Sequence, residues 1–569
     1  MSTAAPPSLL DGLWRSGALR TLDHALAQSL RRLDPAAPDS VLAAAALASL
    51  AVARGHAGFD PAAPGTLVDH GDIAWPEADA WRRELAASRW VAVPADAAGI
   101  ADPGRPLVLE GAPGAPGLLY LRRYREYERR VAVGLQRLAA HPDPGGVDLV
   151  TGGPGTGKTT TIARLLAALV QQARDTVGAE PRIALAAPTG RAAERMTESV
   201  RAALQSLAAS GTDPGVLAAL PTSGTTLHRL LGTIPDSPRF RHDAEHPLSF
   251  DIVVVDEASM IDLPLMAKLV DAVPDGARLV LIGDPDQLPS VEAGDVLGGI
   301  LAAGETTFPA RRTHLTKAWR QHEDLQLAPL AAAVREGDSA TALALLRGGT
   351  LSGVHFHEGL ADPLQAHRDR LLDHWRTLGD AGGPAQSLAL AARLRLLTAV
   401  RDGPQGARTL NARIETLLAE GGGHAAGGHF HGRLLLVTEN SHRHRLFNGD
   451  VGICLRGDDG TMLAWFAGDA PDAPRAFHPA ALPAHDSAFA MTVHKAQGSE
   501  FDEAWLVLPA HDSRVLSREL VYTGITRARR ELHVAADPAV LDIALRRHAT
   551  RWSGLGWRLA EGARLADES

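Results

Sequence analysis

The chain has 569 residues, 45% of them hydrophobic and 22% charged, the proportions of a folded protein of several domains and not of a disordered one. A formal net charge of −9 argues against coating nucleic acid by charge alone, yet leaves room for a local basic groove. The single cysteine, Cys454, excludes a disulfide framework and any multi-cysteine zinc or iron–sulfur site.

The N-terminus, MSTAAPPSLLDGLWRSG, lacks the basic start and long apolar stretch of a secretion signal. Residues 1–115 carry helical patterns, TLDHALAQSLRRL and the Ala-rich VLAAAALASLAVA at 41–53. The second is too short to span a bilayer and predicts a buried helix, so a soluble cytoplasmic protein with no membrane partner is expected. PLVLEG (106–111) and GLLYLRRY (117–124) predict two strands around a turn. The next segment, REYERRVAVGLQRLAA, predicts an amphipathic helix whose charged face is solvated.

From about residue 147 the texture changes. VDLV, RIALAAP, DIVVVDE and ARLVLIGD are short apolar runs that end at polar or Gly residues, with helical segments between them. They predict a parallel sheet covered on both faces, with ligands at the carboxyl ends of its strands. A second α/β unit begins near LRLLTAV (394–400), includes AWLVLPA (504–510) and ends around ELHVAAD (531–537). GRLLLVTEN, RLFNGDVGICL with its Asn-Gly turn, and TMLAWF interrupt it as a small β-barrel between about 431 and 486. His424, His429, His431, His442 and His444 cluster nearby, but lack an acidic or cysteine partner, and 24 histidines make clustering by chance easy.

Gly152, Gly153, Pro154, Gly155, Thr156, Gly157, Lys158 and Thr159, followed by Thr160, satisfy the P-loop pattern between a strand and a helix. Backbone N–H groups of such a loop hold phosphate oxygens, Lys158 adds charge at the β/γ-phosphates, and Thr159 offers a hydroxyl to Mg²⁺. DIVVVDE delivers Asp256 to the same Mg²⁺ shell, while Glu257 orients or deprotonates an attacking water. ATP, with Mg²⁺, is therefore the expected nucleotide, and hydrolysis the expected reaction.

An ordered set of motifs then becomes specific: GGPGTGKTTT, APTGRAAERM, TLHRLLG, VVVDEASMID, GDPDQLPSVEAGDVL, AWRQ, MTVHKAQGSEF and VYTGITRARREL, between residues 152 and 532. The set resembles the superfamily 1 helicases and, more closely, the RecD family, the alpha subunits of exodeoxyribonuclease V. The resemblance implies an α/β fold of two RecA-like P-loop domains with parallel sheets, a helical N-terminal domain and an SH3-like β-barrel insertion in the second RecA-like domain. It divides the chain into a partner-docking domain (1–115), a first RecA-like domain (116–345) and a second (346–569) carrying the barrel.

By motif, the resemblance makes Gln287 a γ-phosphate sensor and Arg320 and Arg527 charge stabilisers at the phosphates. It places Thr189, Gly190, Arg191 and His228 on the DNA backbone in the first domain. In the second, Thr492 and His494 touch DNA phosphates, with Lys495 a weaker candidate, and Gly498 and Glu500 approach the nucleotide. Gln136 is a candidate adenine reader whose spacing does not settle the matter. After Gln287 the chain continues LPSVEAG without the base-stacking aromatic of many 3′→5′ relatives, which implies 5′→3′ movement. The implied partners are single- and double-stranded DNA ends and RecB-like and RecC-like subunits in a heterotrimer, with no nuclease site in this chain. Two other readings stay open: a free-standing RecD-like helicase, or a scaffold whose ATPase is vestigial.

Overall fold

The computed structural model describes residues 8–560 except 70, 72, 96–98, 112–116, 142–144, 305–306, 317–324, 361, 423–427, 442 and 469–471. At the N-terminal end, the helices Leu9–Arg15, Thr21–Leu33 and Asp39–Ala53 pack together, and the last is buried continuously from Val41 to Ala51. The expected buried Ala-rich helix is present; its small side chains let neighbours approach from all sides. β1 (Val91–Ala92), β2 (Leu107–Glu110) and β3 (Leu118–Leu121) form a small sheet in that order, with β2 and β3 antiparallel. No helix among the described residues is long and apolar enough to cross a membrane.

The helix Arg122–Ala139 departs from its expected solvated charged face. Arg125 and Glu128 are both 0% exposed. Arg125 donates to Glu110 at 2.6 Å, and Arg558, near the C-terminal end, donates to the other oxygen of Glu110 at 2.6 Å and to Glu128 at 3.4 Å. Glu128 also accepts from Ser553 Oγ at 2.6 Å and from the N–H of Gly554 at 2.9 Å. An amphipathic pattern says which face is polar; it is silent on whether water or another charged segment meets that face.

The first parallel sheet contains β4 (Gly146–Gly152), β5 (Ile183–Ala187), β6 (Thr225–Thr226), β7 (Ile252–Val255), β8 (Arg278–Gly283) and β9 (Arg311–Leu315). Their order is β6-β5-β7-β8-β4-β9, every neighbouring pair parallel. Every residue of β4, β7 and β8 is buried, which is why their sequences are nearly continuous apolar runs. Asp148 in β4 and Arg278 in β8 are the charged exceptions; they pair at 2.5 Å, and Asp148 also pairs with Arg311 of β9 at 2.5 Å.

The second parallel sheet is built from β10 (Val354–Glu358) and β11 (Leu394–Thr398), and resumes after an interruption with β17 (Ala490–Thr492), β18 (Phe501–Val507) and β19 (Ala528–Ala536). Its order is β10-β19-β18-β11-β17, again all parallel. The interruption is an antiparallel sheet of β12 (Leu434–Val437), β13 (Val451–Arg456), β14 (Met462–Phe466), β15 (Arg475–Phe477) and β16 (His485–Ser487), ordered β15-β14-β13-β12-β16. It is consistent with the SH3-like insertion expected there. Asn448-Gly449 does not close a two-residue hairpin; it ends a longer connection, where the Gly449 N–H returns to the Val437 carbonyl at 2.9 Å. Cys454 is buried in this sheet's core, and burial pushes its thiol up to about 12, leaving it unreactive.

The buried Arg558–Glu110–Glu128 cluster ties the C-terminal end to the N-terminal part of the chain. Replacing Arg558→Met strands carboxylates in the interior and should cost about 3–5 kcal/mol. Guanidinium denaturation followed by tryptophan fluorescence should show a lower midpoint. Arg546→Met, which breaks an exposed pair with Asp542, should shift the midpoint by less than about 1 kcal/mol.

Candidate nucleotide site and nucleic-acid groove

The loop after β4 wraps one wall of a cavity of about 640 Å³ lined by Gly153–Thr161, Asp256, Glu257, Gln287, Glu500 and Arg527, among others. Gly155 and Gly157 adopt φ of 73° and 82°, left-handed values that only glycine takes without strain. Gly152 and Gly153 answer to close approach instead. A Cβ on Gly152 would come within 2.7 Å of the Leu315 carbonyl oxygen, and one on Gly153 within 2.9 Å of the Tyr522 hydroxyl. Lys158 Nζ donates to the carbonyls of Gly152 at 2.7 Å and Gly153 at 3.1 Å, so its ammonium is folded onto its own loop.

Thr159 and Asp256 both line this cavity. Burial and the charge of Glu257 push the Asp256 carboxyl above the ordinary carboxylate range, against the pull of Lys158. Two adjacent acids sharing a partly buried pocket form a hard oxygen donor set that a divalent cation would relieve, so the residues fit Mg²⁺. Glu257 sits at φ 53°, a left-handed conformation rare for a residue with a side chain and characteristic of functional sites. Its N–H donates to Asp256 at 2.8 Å.

The second parallel sheet supplies the opposite wall. Arg527 is 2% exposed, and its guanidinium donates to the carbonyls of Thr523 (2.9 Å) and Ser499 (3.2 Å) and to the Thr526 hydroxyl (3.3 Å). Burial lowers its pKa, while Glu257 and Asp284 pull it back up. Glu500 is engaged by Arg195 and by Arg529, the latter at 3.1 Å. Gln287 Nε2 donates to Asp284 at 3.0 Å, and its buried Oε1 has no hydrogen-bond partner among the described residues. Arg320 lies outside the described residues.

A second depression, about 960 Å³, is lined by Thr189, Arg191, His228, Thr492, His494 and Lys495, among others. Thr189 caps the helix Gly190–Ala209, its hydroxyl accepting from the Ala192 N–H at 3.2 Å. Gly190, next in the chain, opens that helix. Burial and the charge of Arg551 hold the His494 imidazole below its usual value, so it is neutral near pH 7. The groove thus brings residues of APTGRAAERM and TLHRLLG together with residues of MTVHKAQGSEF.

Several placements differ from expectation. Gly498 is not among the residues lining the nucleotide cavity; its φ is 71°, and a Cβ there would pack at 3.5 Å from Ala192. Gln136 is also absent from the lining, its amide donating to the carbonyls of Arg558 at 3.2 Å and Leu559 at 3.3 Å. The reason is the same C-terminal return that meets Glu128. Of the clustered histidines, His429 meets His485 at 3.1 Å, His431 meets the Gly379 carbonyl at 2.9 Å, and His444 meets Ser441 at 2.9 Å. His424 and His442 lie outside the described residues.

Sequence reasoning missed the residues that join the two cavities. Gln497 Nε2 donates to the Leu288 carbonyl at 2.8 Å, and the Leu288 N–H donates to Thr523 Oγ1 at 2.8 Å. Tyr522 donates to Asp284 at 3.2 Å. Gln497 was visible inside MTVHKAQGSEF, but partners 209 and 235 residues apart leave no local signal.

A P-loop cavity on one parallel sheet, closed by an arginine from a second, with an elongated polar groove beside it, defines a two-lobed helicase-type ATPase. Family models agree: the AAA domain matches residues 136–293, the UvrD-like helicase C-terminal domain 487–535, and the N-terminal domain of RecBCD enzyme subunit RecD 15–113. RecBCD enzyme subunit RecD of Mycobacterium tuberculosis (strain ATCC 25618 / H37Rv) is 38% identical over 96% of this chain and 96% of its own. That of Mycolicibacterium smegmatis is 38% identical over 95% and 97%. The ATP-dependent RecD2 DNA helicase of Deinococcus radiodurans is 31% identical over 73% of this chain, but only 49% of its own. This chain belongs to the RecD family of RecBCD enzyme subunits.

Lys158→Gln should lower the rate of ATP hydrolysis by at least about a hundredfold, measured as phosphate release. Its thermal midpoint should stay near that of the parent, since among the described residues Lys158 bonds only to its own loop.

Proposed function

We propose that the chain is the 5′→3′ motor of a RecBCD-like helicase–nuclease, driving ATP-dependent unwinding of broken duplex ends beside RecB-like and RecC-like subunits. The observation that carries this reading is that Thr492–Glu500 borders both cavities: Thr492, His494 and Lys495 line the groove, Glu500 lines the nucleotide cavity, and Gln497 bonds across between them. Residues 1–115 dock the partners, 116–345 form the first RecA-like domain, and 346–569 form the second with its insertion at 431–486. Strand cleavage is assigned to the RecB-like subunit.

In the reaction, ATP phosphates take Lys158 from the Gly152 and Gly153 carbonyls. Mg²⁺, held by Thr159 and Asp256, would neutralise charge on the phosphate oxygens. Glu257 accepts a proton as water bonds to the γ-phosphorus and the bond to the bridging oxygen breaks, releasing ADP and phosphate. Arg527, together with Arg320 by motif, stabilises the charge on the transferring group, because a planar, permanently charged fork matches phosphate oxygens. Gln287 lines the same cavity, where its unpaired Oε1 can accept a hydrogen bond from the attacking water. Thr189, Gly190, Arg191 and His228 hold the DNA backbone from one lobe, and Thr492 and His494 from the other, so grip is independent of base sequence. One stacking step costs about 1.4 kcal/mol to open, so the demand lies in directional coupling, not in energy.

Gln497→Ala leaves the Leu288 carbonyl buried without its donor. Nucleotide affinity should stay within a few-fold of the parent, while stimulation of ATP hydrolysis by single-stranded DNA should fall about tenfold. Unchanged stimulation would remove Gln497 from the coupling path. Polarity is read from duplexes with one tail: the 5′-tailed substrate should be unwound, and preferential unwinding of the 3′-tailed one would overturn the assigned direction. Affinity purification at endogenous level should recover RecB- and RecC-sized partners; recovery of the chain alone would favour a free-standing helicase.

A further inference from the structure

A polar cluster on the second parallel sheet belongs to neither cavity. The edge strand β10 reads VHFHE, and the period of two in a strand puts His355 and His357 on one face. Register sets His355 opposite His533 of β19, and His533 opposite Trp505 of β18. Glu531, two residues before His533, faces the same side and lies opposite Glu503. The helix Arg368–Thr377 covers the cluster through Arg370, which pairs with Glu503 at 2.8 Å and Glu531 at 3.2 Å.

His533 is 5% exposed, and its ring lies flat on Trp505, with centroids 4.1 Å apart and planes 3° from parallel. Its Nδ1 is 3.0 Å from Nε2 of His357. Its Nε2 makes no hydrogen bond among the described residues, although it is 3.5 Å from a carboxylate oxygen of Glu503 and equally far from one of Glu531. A buried imidazole nitrogen aimed between two carboxylates, with no bond of its own, lacks a partner that its surroundings could supply. One donor atom from each of His355, Glu531 and His533 lies within 4.8 Å of the others.

We propose that His355, His533 and Glu531 bind a divalent cation of the zinc class, which clips the edge strand β10 to β19. Two imidazoles and a carboxylate suit a borderline-soft ion better than Mg²⁺ or Ca²⁺, which prefer all-oxygen shells. Donors bound at about 2.0–2.2 Å sit closer together than here, and rotation of the exposed His355 and half-buried Glu531 side chains closes that gap. In the tautomer in which His533 Nδ1 donates to His357 Nε2, that bond fixes the ring and leaves the Nε2 lone pair for the site, the orienting part that an outer hydrogen-bond partner plays for a metal-binding histidine. Arg370 balances the charge of both glutamates, and Glu503, 3.5 Å from His533 Nε2, is a further oxygen donor. The cluster shares no residue with the lining of the nucleotide cavity or the groove.

The test uses the full chain, stripped with a chelator, dialysed against Zn²⁺ without nucleotide, and assayed for retained metal and for competition with a chromophoric chelator. The parent should retain about one equivalent, and Co²⁺ in its place should give the visible bands of a four-coordinate ion. His355→Ala and Glu531→Gln should lose that equivalent while hydrolysing ATP at the parent rate, which reports intact folding. His357→Ala should bind about 10–100-fold more weakly. His429→Ala, in the other histidine cluster, should change nothing. Failure of the parent to retain zinc, or retention unaffected by His355→Ala and Glu531→Gln, would overturn the proposal.

Discussion

The backbone of Leu288 is held from two directions by the opposite lobe: Thr523 accepts from its N–H, and Gln497 donates to its carbonyl. Both bonds are buried, so neither lobe can move past the other there without stranding a polar group, at about 1–3 kcal/mol each. The loop carrying Leu288 also carries Gln287 into the nucleotide cavity, and the stretch carrying Gln497 also carries His494 into the groove. On the proposed function, a change in phosphate occupancy would reach the groove through this short path of packed backbone.

Charge is distributed to suit that path. The chain is acidic overall, yet among the described residues Arg527 is buried with only carbonyl and hydroxyl oxygens as hydrogen-bond partners. A guanidinium so placed keeps its full attraction for a phosphate, because no carboxylate bonds to it first. Arg195 and Arg529 show the opposite case, both committed to Glu500. Lys158 stands between these extremes, bonded to carbonyls that an anion readily displaces.

The parts legible in the sequence were those whose chemistry is local. Close backbone approach required glycine at 152 and 153, a buried strand required the apolar run before Asp256, and a β-rich interruption announced itself between two α/β stretches. What stayed hidden was long-range pairing. The polar face of the helix Arg122–Ala139 looked solvated because nothing near it in sequence reveals that Arg558 returns to meet Glu128. Gln136 is taken by that same segment. Gly498 owes its glycine to backbone conformation and to Ala192, where motif matching assigned it to the nucleotide. His355 and His533 meet only because β10 pairs with β19, a choice of strand order that no local pattern encodes.

The central claim is that nucleotide cavity and groove are one coupled unit joined at Leu288 and Gln497. Amide hydrogen exchange, followed by mass spectrometry over peptides spanning 283–297 and 491–501, tests it directly. Either ligand alone, a non-hydrolysable ATP analogue or single-stranded DNA, should slow exchange in both peptides. Protection by each ligand confined to its own cavity, with the other peptide unchanged, would contradict the account.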